Sequence, residues 1–215
     1  MPPTSLALGS RAIGPNAPAL VVAEIGQNHN GRKELAEELI DAAAWAGADA
    51  VKVTKRDLSW DLCAEASARP YRARHAFGPT YGEHRAVLEL SPEDHRDLAE
   101  RIRGHGMAHV GTACDPPSAA LLHELKVDAL KIASRDLDNL PLIECVAKLG
   151  RLVIASTGMS GFEEIDATVH ALRAADAKFV LLQCASLYPT PWKDVHLRSM
   201  GKLAERYDAA VGLSD

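Results

Sequence analysis

Seven apolar, β-branched runs alternate with six helical patterns, and several of those runs end in a hydroxyl or a charge. Together these observations predict an α/β fold of the TIM (β/α)8-type barrel, incomplete, with about seven strands present. At 215 residues and 47% hydrophobic content, the chain can bury a full core, so residues 1–215 read as a single domain.

The elements follow in order. Two short apolar pieces, Leu6–Leu8 and Ala12–Ile13, flank Gly9 and suggest a small hairpin bordering the barrel floor. The run Ala19–Val22 then passes abruptly into AEIGQNHNG, Ala23–Gly31, which reads as a buried strand ending in a polar loop, with Glu24 at the strand's end. Helix Lys33–Ala46 places Leu35, Leu39, Ile40 and Ala43 at helical spacing, and Gly47 stops it. The unit repeats as strand Ala50–Thr54, helix Pro92–Arg103 capped by Ser91, strand Ala108–Ala113 and helix Pro116–Leu125. Strand Ala129–Ser134, helix Leu140–Leu149, strand Leu152–Thr157 and helix Phe162–Ala174 come next. Strand Phe179–Cys184, helix Leu197–Tyr207 and strand Ala209–Leu213 complete the count. The strand endings at Ser134, Ser156, Ser186 and Ser214 would meet on one rim if the sheet closes. One connection is long: Lys55–Leu90 carries Arg69, Arg72, Arg74, His75 and Tyr81, and reads equally as a lid or as a partly disordered loop.

Composition excludes several classes. No run approaches the roughly 18 apolar residues of a membrane span, and the opening MPPTSLALGSRAIG lacks the basic-then-apolar layout of a leader, so a cytoplasmic protein is expected. Net charge of −5 without a basic block argues against nucleic acid and against an anionic membrane surface. Cys63, Cys114, Cys145 and Cys184 form no CxxC pair, so reduced thiols are expected rather than zinc or disulfides.

Six stretches, AEIGQNHNG, DAVKV, DALKIASRD, ASTGM, LLQCASLYPTPWKDVHLR and VGLSD, occur in the order in which the sialic acid synthase (N-acetylneuraminate synthase) family carries them. The chain resembles that family over essentially its whole length. The resemblance implies a cytoplasmic transferase that condenses phosphoenolpyruvate with an N-acylated amino-sugar aldehyde, N-acetylmannosamine or similar, giving a sialic acid or related nonulosonic acid plus phosphate. It makes Glu24 the acid–base carboxylate, and a carboxylate walled by apolar strand residues suits proton shuttling near neutrality. Phosphoenolpyruvate needs cations and oriented donors. Lys52 and Lys131 are the cations implied, and Thr112, Ser134, Ser156 and Ser186 the hydroxyl contacts. Tyr188 matches a position facing the sugar, while His29 is given no catalytic role.

The departures fall on the sugar side. The usual Lys-Phe-Gln reads Lys52-Val53-Thr54, and Arg135 replaces a glycine, adding a cation suited to an acceptor with an extra negative group. The family's divalent metal, manganese or magnesium, is held by histidines after the Ser-Asp of strand seven and near strand eight, so no metal ligands are expected in this chain. The family's C-terminal antifreeze-like domain is expected to be absent too, and the 215 residues alone are expected not to turn over substrate. A homodimer is compatible with the pattern. The alternatives are a non-catalytic truncated barrel that binds an anion or a partner chain, and another phosphoenolpyruvate-using aldol synthase.

Overall fold

The computed structural model describes residues 6–215; residues 1–5, the start of the stretch read as lacking a leader, lie outside the described residues. The fold is α/β of the TIM-barrel type, with seven parallel strands among the described residues. The chain divides into two compact units, Val21–Val127 and a second made of 6–20 with Asp128–Asp215. Among the described residues, no helix is long and apolar enough to cross a membrane.

In the Val21–Val127 unit, β3 (Val22–Gly26), β4 (Ala50–Lys55) and β5 (Ala108–Ala113) pair in parallel. Helices α1 (Lys33–Trp45) and α5 (Pro92–Gly104) bring Ala36, Ile40, Leu98 and Ile102 into one core with Ile25, Val51 and Val53. Full burial of side chains such as Ile40 and Ile102 contributes roughly 1.5–3 kcal/mol each. Strand residues alternate in facing, so with Ile25, Val51 and Val53 committed to this core, Glu24, Lys52 and Thr54 lie on the opposite face. The helix-facing positions of β5 include His109, which pairs with Val51.

The 55–90 connection is ordered, contrary to one of its two readings. It forms α2 (Leu58–Asp61), α3 (Ala64–Ala68) and α4 (Tyr81–Leu88). The physical reason is local: Thr80 and Glu83 cap α4 reciprocally, and Pro70 bridges Thr80 in antiparallel fashion. Helix α6 (Pro116–Glu124) closes the unit, its first turn capped by Asp115.

In the second unit, β6 (Ala129–Ile132), β7 (Leu152–Ser156), β8 (Phe179–Cys184) and β9 (Ala210–Ser214) are parallel neighbours. Helices α7 (Leu140–Ala147), α8 (Phe162–Ala174) and α9 (Ser199–Tyr207) follow β6, β7 and β8, and α7 packs on α8. Here Leu130, Ile132, Val153, Ala155 and Leu181 are fully buried on one face. By register, Lys131, Ile154, Ser156, Leu182 and Cys184 share the other. The short antiparallel hairpin of β1 (Leu6–Leu8) and β2 (Arg11–Ile13) belongs to this unit, with β1 against β7 and Leu8 buried.

Candidate active site

Within the Val21–Val127 unit, the polar side chains gather at the C-terminal ends of β3 and β4. Glu24 is in register with Lys52, and its Oε2 lies 2.6 Å from the Lys52 ammonium. The Lys52 Nζ also donates to Thr54 Oγ1 at 3.2 Å. A register shift between Glu24 and Gly26 re-aims the strand end. Gly26 sits at φ +52°, and a Cβ there would come within 2.7 Å of Glu24 Oε1, so only glycine leaves that carboxylate its place.

The environment of Glu24 differs from expectation. Its side chain is 50% exposed and ion-paired, whereas Lys52 is buried. The bulge turns the carboxylate out at the strand end, so lysine and solvent, not apolar walls, surround it. Thr112, at the end of β5, has a buried hydroxyl without a hydrogen-bond partner. His29 is buried as well. Its Nδ1 accepts from the Gly31 N–H at 3.1 Å, and burial lowers its proton affinity.

Beyond Lys52, a second group of charges is packed together that sequence reading missed. Glu89 accepts from the Lys55 ammonium at 3.4 Å and from the Arg56 backbone N–H at 3.3 Å, the Arg56 guanidinium lies 3.0 Å from it as an ion pair, and Arg56 Nη1 donates to Asp61 at 3.1 Å. Gln27 Nε2 donates to Glu89 at 2.9 Å while its Oε1 accepts from Arg85 at 2.7 Å. Burial pushes the Glu89 carboxyl up despite Lys55 and Arg56 beside it. The only sequence signal for this network was a Lys-Arg pair at the end of an apolar strand.

The second unit builds a cluster of neutral donors. Gly158 N–H donates to Ser134 Oγ at 3.1 Å. A Cβ on Gly158 would lie 2.2 Å from Ser186 Oγ and 2.8 Å from Ser134 Oγ, so both hydroxyls meet where a side chain would otherwise sit. Ser186 holds a positive φ of 53°, and its Oγ lies 3.6 Å from Cys184 Sγ. Burial pushes the Cys184 thiol up, but hydrogen bonds with Ser134 and Ser186, with the Lys131 charge, bring it below the ordinary thiol value. Ser156 Oγ is buried without a hydrogen-bond partner. Gly158 and Cys184 stood inside quoted motifs without being singled out; the Thr-Gly step after a strand was the available signal.

Arg135 and Tyr188 complete the residues singled out from the sequence in this unit. Arg135 Nε donates to Asp136 at 3.1 Å. Tyr188 is 80% exposed. Among the described residues, no group of three or more His, Cys, Asp or Glu side chains comes together as a metal site.

A parallel strand–helix fold with hydroxyls, a glycine and lysines at its strand ends defines an α/β protein of the TIM-barrel type. Residues 39–215 match the NeuB family, and the chain belongs to that family. It is 34% identical over 205 residues to the N-acetylneuraminate-9-phosphate synthase of Homo sapiens, covering 95% of this chain and 57% of that relative. It is also 34% identical over 200 residues to the N,N'-diacetyllegionaminic acid synthase of Campylobacter jejuni, covering 91% of this chain and 60% of that protein. The crystal structure of the N-acetylneuraminic acid (sialic acid) synthetase from Leptospira borgpetersenii in complex with citrate superposes with a TM-score of 0.85 at 32% identity. It matches 99% of this chain and 70% of its own. The chain therefore spans little more than half the length of these curated relatives.

Proposed function

We propose that residues 1–215 form the barrel domain of a cytoplasmic nonulosonate synthase that joins phosphoenolpyruvate to the aldehyde of an N-acylated amino sugar. The observation that supports this most is the convergence of Ser134, Ser186 and the Gly158 amide on one spot, with Lys131 bearing on it electrostatically. Oriented neutral donors beside a cation suit an anion whose charge is redistributed during reaction.

In this reading Lys131, Ser134, Ser156 and Ser186 hold the phosphate and carboxylate of phosphoenolpyruvate, and Lys52 and Thr112 add a further cation and hydroxyl. C3 of the enol forms a bond to the aldehyde carbon, whose oxygen takes a proton. Water adds at C2, and cleavage of the C–O bond then releases phosphate. Glu24, paired with Lys52 and open to solvent, is the group that moves protons in these steps. Tyr188 and Arg135 are assigned to the sugar. The name of the human relative places a phosphate on carbon 9 of its product.

The test is calorimetry of phosphoenolpyruvate on the chain and on Lys131→Ala. A charge-assisted hydrogen bond lost at Lys131 weakens binding by about 1.5–3 kcal/mol. Unchanged affinity removes Lys131 from the site, and absence of binding to the wild type overturns the reading. Phosphate release well above background with N-acetylmannosamine and manganese would overturn the expectation that these 215 residues alone do not turn over substrate.

A further inference from the structure

The loop that joins β3 to α1 carries a buried imidazole that the reaction above does not use. His29 is 3% exposed, while Asn28, Asn30 and Arg32 around it face solvent. Burying a polar ring in a loop is costly unless its nitrogens are bonded. Here the Nδ1 accepts from the Gly31 N–H at 3.1 Å, and the ring is also hydrogen-bonded to the Gly26 backbone. Burial keeps the imidazole neutral, with one donor and one acceptor, which is what joining a carbonyl to an N–H requires. His29 thereby ties the start of the loop to its end. The backbone winds the same segment tightly: Asn28 N–H donates to Ile25 at 2.9 Å, Asn30 N–H to Gln27 at 3.1 Å and Arg32 N–H to His29 at 2.9 Å.

The two glycines that His29 joins are both contact points. A Cβ on Gly31 would lie 1.8 Å from the Val87 carbonyl oxygen, so this end of the loop is pressed against α4. A Cβ on Gly26 would lie 2.7 Å from Glu24 Oε1, so the Gly26 backbone is the surface on which the carboxylate rests. The other oxygen, Oε2, lies 2.6 Å from the Lys52 ammonium. Because the Glu24 side chain is 50% exposed, no apolar wall fixes its direction. That direction depends on Lys52 in front and on Gly26 beneath, and Gly26 holds φ +52° at the register shift of β3.

We propose that His29 is a positioning residue for Glu24, holding the Gly26 bulge in place so that the carboxylate stays on Lys52. What Glu24 then does to a substrate rests on the synthase reading; how it is held does not.

The test follows the Lys52 ammonium by nitrogen NMR, since its protons are sheltered from exchange with water while Glu24 and Thr54 hold them. Wild type, Glu24→Gln, His29→Phe, His29→Gln and Ile102→Val are compared on the 215-residue chain, with thermal unfolding recorded for each. Glu24→Gln sets the rate for a released ammonium. His29→Phe fills the site without a donor or an acceptor and should speed exchange about tenfold or more, the factor expected when a charge-assisted hydrogen bond opens. Made in the Glu24→Gln background, it should add nothing further. His29→Gln, which keeps a donor and an acceptor, should recover much of the wild-type rate. Ile102→Val thins the core of the same unit and should lower Tm with the Lys52 rate unchanged, which separates positioning from stability. If His29→Phe does not fold, His29→Asn, too short to reach both glycines, takes its place with the same expectation. A wild-type rate in the folded His29 variant overturns the proposal. So does an equal rise in Ile102→Val, or a wild-type ammonium already in fast exchange. Phosphoenolpyruvate is titrated into the wild type alongside; if it does not bind while the His29 effect persists, the synthase reading falls and the positioning role stands.

Discussion

The Val21–Val127 unit presents its functional groups as paired charges, Glu24 with Lys52 and Glu89 with Lys55 and Arg56, whereas the unit containing Asp128–Asp215 presents hydroxyls and an amide around Gly158. Paired ions move protons and set electrostatics; neutral donors grip an anion without a counter-charge to displace. The difference also reaches the cores. The first unit buries His29, His95 and His109, while His170 and His196 of the second are exposed.

That contrast predicts unequal acid sensitivity, the largest effect expected. His95 is held down to about 3 by burial and by the charges of Lys55, His109 and His29, and His109 to about 4 by burial and Arg103. An unfolded histidine takes up its proton near pH 6.5, so between that value and the folded ones the unfolded state binds more protons. Stability therefore falls as pH drops below about 6.5, by roughly several kcal/mol once pH 4 is reached. Hydrogen exchange across pH 7 to 4 should show the Val21–Val127 unit losing protection first. Parallel loss in both units would mean that they unfold as one.

The hydroxyl cluster around Gly158 gives the next effect. In Gly158→Ala the new methyl meets Ser186 Oγ at 2.2 Å and Ser134 Oγ at 2.8 Å, so one hydroxyl must turn away. Losing one or two donors should weaken phosphoenolpyruvate binding on the order of tenfold to a hundredfold, measured by calorimetry. The Glu24–Lys52 pair belongs to the other unit and should be untouched. A variant that binds as tightly as wild type would show that these hydroxyls do not meet the ligand.

How much of this was legible depended on whether the signal was local. Alternation and capping put β4, β5, β7 and β8 within a residue or two of their observed ends, because Val, Ile and Gly act on their own neighbourhood. The motif residues Glu24 and Lys52 were named, but not their ion pair, which depends on a bulge at Gly26 that no spacing rule announces. Glu89 was missed because its partners lie 33 and 34 positions away. The 55–90 connection was ambiguous because, besides the Thr80–Glu83 capping box, its order rests on the Pro70–Thr80 bridge and on ring stacking on His84, which periodicity does not encode.

The smallest effect concerns the loop between the cluster and α8. Helix α5 starts with Ser91 and Asp94 exchanging hydrogen bonds, both halves of a capping box. Helix α8 has only one half: Glu164 accepts from the Gly161 N–H at 2.8 Å, and glycine offers no side-chain acceptor in return. Gly161 has φ −89° and ψ −178°, extended values open to serine, and its Cβ would meet only the Glu164 carboxylate at 3.2 Å. Gly161→Ser should complete the box and stiffen the unfolded chain, adding about 0.5–1 kcal/mol, a rise of roughly 1–4 °C in Tm. Ser91→Ala should lose about 1 kcal/mol. Because residues 157–161 lead from the Gly158 cradle into α8, the same variant reports on the site. Unchanged phosphoenolpyruvate affinity with raised Tm means that the donors are already fixed by Ser134 and Ser186. If affinity rises with stability, the cradle is ordered by the helix that follows it, and the two units differ in rigidity as well as in charge.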